Sequence, residues 1–112
     1  MQQADIDPLA AANFIRDIAP RIAKARSERV YLDEYRKTLK SKLMARAMKE
    51  GVSSLGDREA YAYAHPEYEQ LIKGLAEAVD QDERLRWQIV AAQAKIEIWR
   101  SFESSRRAEM AL

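Results

Sequence analysis

Apolar residues recur every three or four positions along the second half of the chain, from residue 66 to residue 107. No proline follows Pro66 in this run and Gly74 is its only glycine, so the spacing predicts one continuous helix of roughly 40 residues, about 60 Å long. The apolar positions form a stripe typical of a helical hairpin or coiled coil, interrupted by Asp82. The stripe consists of Tyr68, Leu71, Leu75, Ala78, Leu85, Ile89, Ala92, Ile96 and Trp99.

A second apolar stripe lies on another side of the same predicted helix and comprises Trp87, Ala91, Ala94, Ile98 and Phe102. One partner helix cannot cover both stripes. Two arrangements would bury the second one: the N-terminal segment folds over it, or a second copy of the chain packs against it. A chain of 112 residues has little core to stabilise an elongated hairpin, so we expect a homo-oligomer formed through this face.

The N-terminal part of the chain predicts a short helix that follows a flexible arm. The arm covers residues 1–6. Asp7 followed by Pro8 is typical of a helix start, because the aspartate caps free N–H groups and proline suits the first helical position. The short helix then spans residues 8–19. Pro20 is expected to end or kink it, because the proline ring clashes with the carbonyl one turn back.

A basic long helix over residues 21–49 is predicted next, and Gly51 is its expected stop. The apolar stripe of this helix contains two arginines, Arg29 and Arg36. If the two long helices pair antiparallel, one of these arginines lies near Asp82. An ion pair there would fix the register of the helices more than it would stabilise them.

Residues 51–65 predict a connection that holds a short helix capped by Asp57. The connection is too short to separate domains, and the second long helix, over residues 66–107, begins after His65. We therefore predict a single all-α domain, residues 1–112, built on a long antiparallel helical hairpin with a short N-terminal helix.

Charge is distributed unevenly, although the net charge is only +1. Residues 16–49 contain eleven basic and four acidic residues, a balance of +7, whereas residues 57–99 contain five basic and nine acidic residues, a balance of −4. The asymmetry is greatest in a run that contains no acid. Its basic residues are Arg36, Lys37, Lys40, Lys42, Arg46 and Lys49.

Two interpretations of this basic run remain open. The long basic side chains can simply cover the apolar stripe in solvent and balance the acidic second helix. Alternatively, the run forms a phosphate-contacting surface, in which the nearby Tyr31 and Tyr35 stack on bases of a single strand. The basic residues divide between two flanks of the helix. Arg36, Lys37 and Lys40 share one flank, and Lys42, Arg46 and Lys49 share the other.

Catalytic and metal-binding chemistry finds little support in the sequence. The chain has no cysteine and a single histidine, His65, which stands before a proline where a cap or turn residue is common. Paired carboxylates such as Glu67 and Glu69 are typical of solvated helix surface and of compensation of the helix dipole. We therefore expect no enzyme, no metal and no cofactor. The absence of a long apolar run and of a signal peptide predicts a cytoplasmic protein that does not meet a membrane.

The basic first helix ends in KLMARAMKEG, a short broken connection follows, and the second helix has an acidic middle before RLRWQIVAAQAKIEIWRS. In this layout, residues 24–102 resemble the UvsY-like phage recombination mediators. The resemblance implies a small all-helical protein that forms closed rings, binds single-stranded DNA, displaces single-strand-binding protein and loads a RecA-type recombinase. It implies phosphate contacts by Lys42 and Arg46, and it matches Trp87 to the family's aromatic position in the second helix.

From these features we expect a non-enzymatic, single-stranded DNA-binding accessory protein of phage-type recombination, with partners that include a recombinase and single-strand-binding protein. The expected contacts come from the six basic residues and Tyr35. The alternative from another class is a structural or adaptor protein whose basic helix binds an acidic protein partner. Binding that scales with oligonucleotide length would favour the DNA-binding protein.

Overall fold

The computed structural model describes residues 5–112, which form three α-helices and contain no β-strand. Helix α1 spans Pro8–Lys49, α2 spans Leu55–Ala64 and α3 spans Pro66–Met110. The prediction of an all-α helical hairpin is confirmed. Helix α3 continues three residues past its predicted end.

Helix α1 starts as predicted but does not stop at Pro20. The Asp7 carboxylate accepts a hydrogen bond from the Ala10 N–H at 3.0 Å, and Pro8 occupies the first helical position. The two helices predicted over residues 8–19 and 21–49 are one continuous helix. Pro20 removes one backbone hydrogen bond, but it is exposed, and the carbonyl that loses its partner belongs to the exposed Arg16. Ile18, before the proline, is buried, so packing holds this part of the helix in place.

Gly51 ends α1, as predicted, through a Schellman motif. Its φ of 93° lies in the left-handed region that favours glycine. The N–H of Gly51 donates to the Met48 carbonyl, and the N–H of Val52 donates to the Ala47 carbonyl at 3.0 Å. These bonds satisfy carbonyl groups that the last turn of the helix would otherwise leave free.

Ser54, and not Asp57, caps α2. The Ser54 side chain accepts a hydrogen bond from the Asp57 N–H at 3.1 Å, so the predicted cap lies in the first turn of the helix. His65 then separates α2 from α3, and its Nδ1 accepts a hydrogen bond from the Glu67 N–H at 3.1 Å. The histidine is thus a turn residue at a helix start, the role that its position before Pro66 favoured.

The chain divides into two compact units, and the first consists of residues 24–82. In this unit, the C-terminal part of α1 is followed by α2, which reverses the chain direction, and the first part of α3 runs antiparallel to α1. Leu39, Leu43 and Ala62 form its buried core. The half-buried side chains packed around this core are Tyr35, Met44, Tyr68 and Leu71.

A buried carboxylate joins the two long helices within this unit. Asp82 is 3% exposed, and its Oδ2 accepts a hydrogen bond from Nη1 of Arg29 at 3.1 Å. Nε of Arg26 lies 3.6 Å from the other carboxylate oxygen. The expected ion pair with Asp82 is therefore made by Arg29, whereas Arg36 pairs with Asp33 at 3.2 Å.

The second unit contains the described residues up to Ala23 together with Glu83–Leu112. Its buried side chains are Ile6, Ala11, Ile18, Leu85 and Ala92. Residues 1–4 of the predicted flexible arm lie outside the described residues. The prediction of a flexible arm is wrong at residue 6, because Ile6 is buried.

The predicted second stripe of α3 is only partly covered in this unit. Ala10, Ala11 and Phe14 on α1 line a groove with Ala91 and Ala92 on α3. The remainder of the stripe is open: Trp87 is 58% exposed, Ile98 is 36% exposed, Ala94 is exposed and Phe102 is half-buried. The N-terminal segment thus packs beside the stripe without burying it.

Candidate nucleic-acid interface

The six basic residues predicted to bind DNA all lie on the C-terminal half of α1, and they fall into two groups of three. One group has carboxylate partners. The other has no ion-pair partner among residues 5–112. The paired residues are Arg36, Lys40 and Arg46, and the unpaired residues are Lys37, Lys42 and Lys49.

Arg46 is held by a carboxylate at the start of α3. Its Nη1 donates a hydrogen bond to Oε1 of Glu67 at 2.7 Å. This hydrogen bond raises the pKa of Arg46 and lowers the pKa of Glu67. Close to it, a hydrogen bond to Glu50 raises the pKa of Tyr61. Arg46 therefore already has an anionic partner of the kind that a phosphate would be.

Lys40 is engaged by α2. Its Nζ lies 4.9 Å from the centroid of the Tyr63 ring and 3.6 Å from Oε1 of Glu59. A hydrogen bond to Tyr63 and the nearby Glu59 carboxylate raise the pKa of Lys40. The Lys40 ammonium group is thus stabilised by the protein itself. This agrees, for Lys40, with the interpretation that the basic residues balance acidic residues of the same chain.

The unpaired lysines divide again by position on the helix. Lys42 and Lys49 are seven residues apart, about two full turns, and therefore share one side of α1. Lys37 precedes Lys42 by five residues and lies on the other flank. On the side of Lys42 and Lys49, residues spaced alternately by four and three form a straight stripe. We call it the Tyr–Lys stripe: Tyr31, Tyr35, Thr38, Lys42, Ala45 and Lys49.

Two tyrosines and one lysine of the Tyr–Lys stripe contact one another. The rings of Tyr31 and Tyr35 are stacked, with centroids 5.9 Å apart and planes inclined by 12°. Nζ of Lys42 lies 5.6 Å from the centroid of the Tyr35 ring. Tyr31 is 64% exposed, and the remaining members are exposed apart from the half-buried Tyr35.

This arrangement combines an aromatic platform with cations that have no carboxylate partner in the part of the chain that the structure describes. Aromatic rings stack on bases, and lysine ammonium groups contact phosphates without requiring a fixed geometry. Thr38 and Ala45, between the larger residues, are short, so an extended polyanion meets little steric obstruction along the stripe. The side chains on this surface are suited to binding, and they include no nucleophile paired with a base.

The sequence indicated the basic run but not the carboxylates of the same chain that pair with two of its residues. Glu59 and Glu67 come from α2 and α3, and no local spacing connects them with Lys40 and Arg46. The signal that did exist is the i, i+4 spacing of Tyr31 and Tyr35, which places two rings one turn apart on a helix surface.

Among residues 5–112, no three His, Cys, Asp or Glu side chains are grouped so that they could hold a metal ion. None of the helices described above is both long enough and apolar enough to span a membrane.

Comparison of the chain with protein-family models, with curated proteins and with solved structures finds no match. The geometry of the Tyr–Lys stripe and the resemblance of residues 24–102 are therefore what supports a function for this protein.

Proposed function

We propose that this protein is a non-enzymatic binder of single-stranded DNA and that the Tyr–Lys stripe is its binding surface. The observation that carries the proposal is the stacked pair Tyr31 and Tyr35, continued along the same exposed side by Lys42 and Lys49. Tyrosine rings and unpaired lysines on one helix face supply the two components of single-strand binding, stacking and phosphate attraction.

We propose fewer phosphate contacts than the six that the sequence predicted. Lys42 and Lys49 are the main phosphate contacts. Arg36, Lys40 and Arg46 contribute less, because each must leave a carboxylate before it can bind a phosphate. The role in recombination, in which the protein helps to load a RecA-type recombinase, is proposed from the sequence resemblance and needs its own test with that partner.

We further propose that the protein acts as a homo-oligomer through the open stripe of α3. Trp87, Ala91, Ala94 and Ile98 follow the four–three–four spacing of a coiled-coil surface, and Trp87 and Ile98 are exposed. The same stripe on a second copy has the matching pattern. Repetition of the Tyr–Lys stripe in an oligomer would let one strand of DNA contact several copies at once.

The test is fluorescence anisotropy with a labelled single-stranded oligonucleotide at two salt concentrations. The variant Lys42→Gln/Lys49→Gln should bind about tenfold more weakly at moderate salt. It should also lower the slope of log affinity against log salt by about 1.4, since each phosphate contact to a single strand contributes about 0.7.

The matched control is Arg36→Gln/Arg46→Gln, which removes the same charge from two residues that already have carboxylate partners. It should weaken binding by less than about threefold. Equal losses in the two variants would assign binding to overall charge and reject the stripe. If the wild-type protein binds an acidic polypeptide but no oligonucleotide, the adaptor function replaces the proposed one.

A further inference from the structure

We propose that the outer face of Tyr31 is a stacking site for one unpaired base, at the end of a strand path that continues over Lys42 and Lys49. This inference rests on the proposed function and deepens it, because it names the residue that recognises bases. It also assigns Tyr35 a different role from the DNA contact that its position in the basic run suggested.

The Tyr35 ring is less accessible to a base than the Tyr31 ring. It is half-buried, Tyr31 stacks on it, and Nζ of Lys42 lies over it, 5.6 Å from its centroid. A base inserted between the two tyrosines would need about 7 Å, two contact distances, whereas the centroids are 5.9 Å apart. Tyr35 therefore supports Tyr31 and positions the Lys42 ammonium group.

Tyr31 has more free surface than Tyr35. Its side chain is 64% exposed, and Tyr35 stacks on one face of its ring. Glu28, which precedes Tyr31 by three residues on the same helix, is exposed. A carboxylate at that position repels a phosphate but not a neutral base, so the uncharged part of a nucleotide is favoured there.

The positions of the lysines set the direction in which the bound strand runs along α1. Beyond Tyr35 the stripe contains only cations and small residues as far as Lys49. From Tyr31 to Lys49 the helix rises about 27 Å. A path of this length holds roughly four nucleotides, the lower end of the range of site sizes for single-strand-binding folds.

Stacking on Tyr31 selects for unpaired bases. In a duplex, each base is already stacked and paired, and bringing it out of the helix costs a few kcal/mol. The lysines alone would bind a duplex as well as a single strand, since both present phosphates. The preference for single strands should therefore reside in Tyr31, and the salt dependence should reside in Lys42 and Lys49.

The experiment compares two labelled strands of about ten nucleotides, an oligothymidine and a strand of the same backbone that is abasic throughout. The full-length protein is used as wild type, Tyr31→Ala and Tyr31→Phe. The control is Val30→Ala, which shortens a neighbouring exposed side chain on another side of α1. Circular dichroism confirms that each variant retains its helices, and alanine favours the helix at an exposed position.

We expect Tyr31→Ala to bind oligothymidine about tenfold more weakly and to bind the abasic strand as the wild type does. Tyr31→Phe should retain wild-type affinity for both strands, because the ring stacks without its hydroxyl group. If Tyr31→Ala binds oligothymidine as tightly as the wild type, or weakens both strands equally, base stacking at Tyr31 is refuted.

The outcome also separates this inference from the proposed function. Binding that tolerates Tyr31→Ala but depends on Lys42 and Lys49 would retain the stripe as a phosphate-binding surface and overturn only the stacking site. A wild-type protein that binds neither strand would overturn both.

Discussion

Breaking the ion pair between Arg29 and Asp82 should destabilise the hairpin by different amounts, depending on which partner is removed. Asp82 is 3% exposed, whereas the side chains of Arg29 and Arg26 are 38% and 58% exposed. Arg29→Met leaves a buried carboxylate whose nearest remaining cation, Nε of Arg26, is 3.6 Å away, beyond good hydrogen-bond length. Asp82→Asn leaves two arginines that already reach water.

The magnitudes follow from what each substitution leaves behind. Loss of one partner of a fully buried pair costs about 3–5 kcal/mol. Arg26 remains nearby and Arg29 is partly solvated, so we expect about 2–3 kcal/mol for Arg29→Met. Asp82→Asn should cost about 1 kcal/mol, the net value of one hydrogen bond. The double variant Arg29→Met/Asp82→Leu replaces the pair with apolar side chains and should fall within about 1 kcal/mol of the wild type.

Equilibrium unfolding in urea, followed by circular dichroism at one protein concentration, measures these differences. Thermal unfolding should agree, at about 4 °C per kcal/mol for a chain of this size. The matched control is Arg36→Met, because Arg36 pairs with Asp33, whose side chain is 54% exposed. It should cost less than about 0.5 kcal/mol. If Asp82→Asn proves as costly as Arg29→Met, burial of the carboxylate does not determine the energetics.

Three further predictions concern the turn, the carboxylate that holds Arg46, and the open stripe of α3. Gly51→Ala should destabilise the protein by about 1 kcal/mol because the φ of Gly51 is positive, whereas Gly74→Ala should stabilise it by up to about 1 kcal/mol. An added Cβ meets no atom within 4 Å at either glycine, so the two sites differ in φ and not in steric space. Equal effects in urea unfolding would therefore contradict the role of φ. The lowered pKa of Glu67 means that its carboxylate contributes stability above about pH 4.5 and loses it as the pH falls through the lowered value, so Glu67→Gln should unfold with a weaker acid dependence than the wild type. Replacing Trp87 and Ile98 with serine should lower the mass measured by light scattering while helicity is retained, and an unchanged mass would reject the oligomer surface.

Most of the fold could be predicted from residue spacing. Three-to-four periodicity identifies a helix whatever its partner is, and it located both long helices and the position of Asp82 opposite an arginine. Pro20 was expected to end or kink the helix, and the prediction that it separates two helices was wrong. At an exposed position the lost hydrogen bond is replaced by water, and packing of Ile18 favours continuation of the helix. The cap of α2 was also misplaced: Ser54 caps the helix, three residues before the predicted cap Asp57.

The candidate site was less predictable because its electrostatics depend on tertiary contacts. Counting charges along α1 treats six cations as equivalent, but Lys40 and Arg46 receive carboxylates from helices that are distant in sequence. Spacing indicated that Tyr31 and Tyr35 were neighbours. It did not indicate that the Lys42 ammonium group lies over the Tyr35 ring or that Tyr31 is the more exposed of the two, because both depend on how the side chains pack.

The carboxylates of Glu59 and Glu67 have a consequence for any polyanion that meets α1. At Lys40 and Arg46 the incoming group must exchange places with an anion that is tethered to the fold and never diffuses away. Such an exchange replaces one ion pair with another and adds little to the free energy of binding. At Lys42 and Lys49 the polyanion would displace mobile salt ions instead. For any polyanion that binds this helix, the acids of α2 and α3 therefore leave less to gain at Lys40 and Arg46 than at Lys42 and Lys49.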